Sequence, residues 1–137
     1  MIMPDEPTIV IEAVRCCCAA RRRGACDLMP YIFRMLDRYG CGMLTLPVLG
    51  LVQASEACLR RRLVTGDDIL SDDECGLLML LDEPEAGPAA FGLRRDVREM
   101  AGLLACAALC ARIMIRMELG RYSGWEVQAP LRAMAHR

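Results

Sequence analysis

Apolar residues return every three or four positions along most of this chain, the spacing of helices that bury one face. Five helices are predicted. The first covers residues 5–23 and stops at Gly24, since glycine readily ends a helix in a left-handed conformation. Its Thr8-Ile9-Val10-Ile11 run also suits a short strand, which leaves its start ambiguous. The second covers 28–39, with Asp27 as N-cap and Gly40 as stop. Leu28, Ile32, Met35, Leu36 and Tyr39 fall on one face, with Arg34, Asp37 and Arg38 outside it. The third covers 46–63, capped by Thr45 and ended by Gly66, with Gln53, Glu56 and Arg60 as a polar stripe. Pro30 and Pro47 both fall in first turns, where a missing N–H does no harm. The fourth covers 72–81, where Ser71 and Glu74 have the spacing of a capping box. Residues 82–88, DEPEAGP, read as a loop.

The fifth helix is the longest, covering 89–119 before Gly120. Its centre, MAGLLACAALCA, is apolar on every side, which predicts a helix buried all round: the middle of the bundle, or a helix sealed by another copy. Gly102, Cys106 and Cys110 follow at four-residue spacing, a stripe of small side chains where a second helix can approach. Residues 121–137 read as an irregular tail that docks Trp125 on the bundle. The expected fold is all-α: a compact bundle of about five helices around a long apolar C-terminal helix. A single domain over 1–120 is followed by the tail.

Composition supports helices. Of 137 residues, 55% are hydrophobic but only 4% aromatic, so Leu, Ala, Met, Val and Cys must fill the core, and Ala and Leu favour helix. A chain of this length buries enough surface to need no disulfide or metal staple. The net charge of −1 is distributed in blocks. Residues 15–62 carry nine Arg against three acids, and residues 63–93 carry eight acids and no base. The expectation is that the acidic block neutralises its basic neighbours within the fold. The alternative is a basic face for an anionic partner.

The chain has no Lys, and its only His is His136 near the C-terminus. The first absence excludes Schiff-base chemistry and a Walker A loop within this sequence. The second argues against a preorganised His-based triad or multi-His metal centre. No cofactor and no enzymatic activity are expected. The N-terminal MIMPDEPTIV is acidic where a secretory signal is basic, so the nine Cys are expected to be reduced thiols in a cytoplasmic protein. The uncharged apolar stretch over 100–111 has twelve residues, short of the ~20 of a bilayer span. No transmembrane segment is therefore expected.

Two sets of residues are candidate chemistry. Cys16, Cys17, Cys18 and Cys26 form one cysteine cluster, and Cys106 and Cys110 share a helix face. The leading reading is that they pack the core. The alternatives are a soft metal ion or redox thiols, activated by the neighbouring Arg15, Arg21, Arg22 and Arg23. No C-x-x-C pair supports zinc. The second set is Arg21, Arg22, Arg23, Arg60, Arg61 and Arg62, two triplets at predicted helix ends. They complement helix dipoles or grip phosphates. Nucleic-acid binding ranks third, because the chain is acidic overall and lacks Asn for reading bases. The acids Asp67, Asp68, Asp72, Asp73 and Glu74 lack calcium-loop spacing. The leading expectation is a non-catalytic interaction or regulatory protein that self-associates or binds a protein partner. A metal or thiol protein comes next, and an Arg-mediated binder of an anionic partner after it.

Overall fold

The computed structural model describes residues 4–93 and 98–123. It contains α1 (Glu6–Arg22), α2 (Met29–Asp37), α3 (Thr45–Leu59), α4 (Asp72–Asp82) and α5 (Arg98–Ser123). Short 3-10 segments at Gly42–Leu44 and Pro84–Phe91 precede α3 and follow α4. Among the described residues there is no strand. The fold is all-α, and the core is formed by the inner faces of α1, α2, α3, α4 and α5.

Helix α1 resolves the ambiguity over residues 8–11 in favour of helix. Asp5 caps it by accepting the Thr8 N–H at 2.9 Å, and Pro7 sits in the first turn. Ile9, Val10, Ala13, Val14, Cys17 and Ala20 are then fully buried. The second helix is shorter than expected, running from Met29 to Asp37. Leu28, not Asp27, is its N-cap, and the Asp27 carboxylate accepts the Met29 N–H from one position further out. At α3 the structure departs from expectation at both ends. Thr45 is its first residue rather than its cap, and its hydroxyl donates to the Gly42 carbonyl of the preceding 3-10 turn. The helix stops at Leu59 because Arg60 takes a left-handed conformation, φ 58°. Without that reversal the next residues would continue away from α3. With it, the Leu63 N–H returns to the Glu56 carboxylate.

The capping box at α4 forms as predicted: Ser71 Oγ accepts from the Glu74 N–H, and Glu74 accepts from the Ser71 N–H. Residues 84–91 wind as 3-10 turns rather than as a plain loop, and they absorb the expected start of the last helix. Gly87 and Gly92, both at positive φ, and Pro88 between them prevent an α-helix from running through. Gly76 of α4 provides the seat for this segment, since a Cβ there would lie 2.6 Å from the Phe91 ring.

The largest correction concerns α5. It packs on α3 most extensively, and also on α1, α4 and the 3-10 segment, but only through one stripe: Leu104, Ala108, Ala111, Ile115 and Glu118. It is not buried all round, since Leu103 is 63% exposed and Met117 62%. An apolar circumference shows that a helix tolerates burial on every side, and the number of neighbours decides how many sides are covered. The predicted tail begins at residue 121, but α5 runs through Gly120 to Ser123. The rest of that tail, including Trp125 and His136, lies outside the described residues.

Candidate functional site

Two acids of the acidic middle, Asp73 and Glu74, meet its basic neighbours at an electrostatic clamp on the turn between α3 and α4, where Glu56 of α3 supplies a third carboxylate. Arg15 of α1 reaches Glu74 through both carboxylate oxygens, at 2.7 and 3.1 Å. Glu74 is fully buried and also accepts the Gly66 and Ser71 N–H groups. Arg61 holds Asp73 in the same two-pronged way, and Asp73 accepts the Val64 N–H. Arg21 holds Glu56, which accepts the Leu63 N–H. Each carboxylate thus joins a guanidinium to a loop amide, and four N–H groups of residues 63–71 are satisfied by side chains.

The electrostatics follow from that geometry. The Arg61 guanidinium holds the Asp73 carboxyl below its ordinary range against the cost of burial, helped by the Val64 N–H. Burial works to raise Glu74, but Arg15 and the Ser71 and Gly66 amides together outweigh it and leave the carboxyl lowered. Gly66 is required by close approach, because a Cβ there would lie 2.0 Å from the Ile69 carbonyl. This clamp is structural: its charges are consumed by one another.

The predicted cysteine cluster is not brought together. Cys17 and Cys18 are buried, Cys16 is half-buried and Cys26 is exposed, on the turn after α1. Burial pushes the Cys16, Cys17 and Cys18 thiols up, Cys17 to about 11, and this outweighs the pull of the nearby arginines. The activation expected from Arg21, Arg22 and Arg23 is therefore reversed at these positions. Among the described residues, no group of three Cys, His, Asp or Glu converges with metal-binding geometry.

The two arginine triplets also separate. Arg21 and Arg61 belong to the clamp. Arg60 turns the chain at the end of α3. Arg22 and Arg62 line a shallow cleft with Cys18 and Leu63. Arg23 alone turns toward α2, with its guanidinium 5.8 Å from the centre of the Tyr31 ring. There it joins Arg34 and Arg38, which sequence reasoning had treated only as polar-face residues of α2.

Two apolar surfaces remain open. Phe33, Met43, Leu46, Met29 and their neighbours line a groove of about 360 Å³, where Gly42 leaves room for the Phe33 ring. The second surface is the outer face of α5. Gly102, Cys106 and Cys110 are exposed there, as are Leu103, Leu109, Ile113 and Met117. Within it Leu103, Cys106, Cys110, Ile113 and Met117 are separated by three, four, three and four positions. That is the heptad spacing of a helix–helix seam. It was present in the sequence but masked by the apolar residues of the inner stripe, which have the same rhythm.

By length and composition, Gly42–Leu59 and Met100–Gly120 suffice to cross a membrane, and 33% and 22% of them are buried within the fold. Compared with protein-family models, curated proteins and solved structures, the chain finds no match.

Proposed function

We propose that this protein is a non-catalytic interaction module that self-associates through the outer face of α5. The observation that carries the reading is the exposed seam Leu103–Cys106–Cys110–Ile113–Met117, about 21 Å long at helical rise. A second copy of α5 offers the same seam, and alternating three- and four-residue spacing lets two such helices interdigitate. Isologous pairing of this kind closes at a dimer. Gly102 has no atom within 4 Å of a built Cβ, and with the small Cys side chains it allows close approach.

The seam suits a helix better than lipid. Arg112 and Arg116 border it on the inner side, tied to the Asp82 carbonyl and the Glu6 carboxylate. A span through a bilayer would carry both into hydrocarbon at a cost of several kcal/mol. A cytoplasmic, reduced setting goes with this reading, because Cys106 and Cys110 then remain thiols in the seam.

The test is a native mass spectrum and sedimentation run under reducing conditions. At ~20 μM the wild-type chain is expected to be dimeric, and Ile113→Glu should weaken association at least ~100-fold, the scale of a charge forced into an apolar contact. Ile113 is 48% exposed in the protomer, so the variant should fold normally by circular dichroism. A monomeric wild type, or one that partitions into uncharged lipid vesicles instead of pairing, overturns the proposal.

A further inference from the structure

The open cavity between the end of α1 and the outer face of α2 has the chemistry of an anion site. It has a volume of about 250 Å³ and is lined by Arg23, Tyr31, Arg34, Met35 and Arg38. Tyr31, Arg34, Met35 and Arg38 share one face of α2, at three- and four-residue spacing. Arg23 enters from the C-cap of α1. No carboxylate is among the lining residues, and among the described residues no ion pair engages any of the three arginines.

The arrangement has a cost that folding does not explain. Arg34 and Arg38 are like charges one turn apart, a destabilising pair on a helix. Helix dipoles answer only part of it. The C-termini of α1 and α2 each contribute roughly −0.5 charge beside Arg23 and Arg38. Within the lining, three guanidinium groups against two such ends leave roughly +2, and the Asp37 carboxylate, the nearest acid along α2, is not part of that lining. The walls are not uniformly polar either. Tyr31 presents its ring, with the Arg23 guanidinium 5.8 Å from its centre, and Met35, also in the lining, is buried at 7% exposure.

From this we infer that the cavity binds a dianionic phosphate group, free or as the monoester of a small organic molecule. Charge sets the class: a phosphate near neutral pH carries about −1.5 to −2 and three acceptor oxygens. That matches both the residual charge and the number of guanidinium donors. A single carboxylate is satisfied by one two-pronged arginine and would leave the other two unanswered. The exposed ring of Tyr31 forms the apolar shoulder on which the organic part of an ester would rest, with Met35 in the cavity floor. The site is separate from the α5 seam and does not depend on self-association.

The experiment is an amide and guanidinium NMR titration of the full chain at pH 7.5 and about 20 mM salt, where screening is weak. The ligands are inorganic phosphate, phenyl phosphate and, as a monoanion control, acetate. Saturable shifts confined to residues 23–38 are expected with both phosphates. Arg34→Gln and Arg38→Gln should each weaken binding about tenfold, the scale of one charge-assisted hydrogen bond. Arg62→Gln, in the separate cleft beside Cys18, should leave it unchanged. Tighter binding of phenyl phosphate identifies a monoester as the ligand, and equal binding identifies free phosphate. Both α2 arginines are exposed, so the variants should keep the wild-type spectrum elsewhere. Linear, unsaturated shifts, equal binding of acetate, or loss of the same size in Arg62→Gln would each overturn the inference.

Discussion

Arg15, Arg21 and Arg61 end on carboxylates, whereas Arg23, Arg34 and Arg38 end on an open cavity. The first group is spent on folding. Each member joins two helices or a helix and a loop, and each carboxylate is satisfied again by loop amides. The second group makes no ion pair among the described residues, and two of its members repel each other along α2. Arginine content alone does not separate a scaffold from a site. What separates them is whether the fold supplies a carboxylate at each guanidinium.

Glu74→Ala should break the first group most. It removes a buried carboxylate and leaves Arg15 and the Gly66 and Ser71 amides without their acceptor. A loss of about 3 kcal/mol in urea unfolding is expected, the scale of removing one partner from a buried pair. A loss below 1 kcal/mol would mean that water replaces the carboxylate, and that the clamp does not hold the turn.

Acid provides the next test. Asp73 and Glu74 are both held below their ordinary values of 3.8 and 4.5, so folded protein binds these protons less readily than unfolded protein. Their contribution to stability is complete above those ordinary values. It is lost as pH falls below them and through the lowered folded values. Urea midpoints measured from pH 6 down to pH 2 should therefore fall beginning near pH 4.5, and Glu74→Gln should flatten part of that fall.

The smallest effect separates the two arginine groups directly. Arg21→Gln should cost about 1.5 kcal/mol, since Arg21 and Glu56 are both only 14% exposed and the charged hydrogen bonds are lost. Arg34→Gln should instead leave stability unchanged to within about 0.3 kcal/mol, because relief of the repulsion with Arg38 is offset by the lost attraction to Asp37 one turn on and to the α2 C-terminal dipole. Thermal melts of the two variants at low salt compare them. Destabilisation by Arg34→Gln would show that Arg34 has a structural role and would bring the two groups together.

The parts of the fold that could be read from the sequence are those decided within one or two turns. The Ser71–Glu74 capping box and the first-turn prolines Pro30 and Pro47 act between residues a few positions apart. The end of α3 could not be read in this way. It depends on Glu56 drawing in the Leu63 amide, and the left-handed residue there is an arginine where a glycine was expected. The candidate surfaces were legible only in part. Gly102, Cys106 and Cys110 were singled out as a helix contact and do lie exposed on α5. Leu103, Ile113 and Met117 were hidden among equally apolar inner residues. Of the basic residues around the cavity, only Arg23 belonged to a triplet that attracted notice.

The sequence by itself determined that this chain is helical, where most of its helices begin, and that its charges alternate in blocks. Those properties rest on local propensity, periodicity and capping. Only the tertiary structure decided which side of α5 is covered, which thiols are buried, and which arginines meet acids. Arg15 and Glu74 lie 59 positions apart, and Arg21 and Glu56 lie 35 apart. Such pairings depend on how helices pack against one another, so arginines two positions apart, Arg21 and Arg23, end in a clamp and in an open cavity.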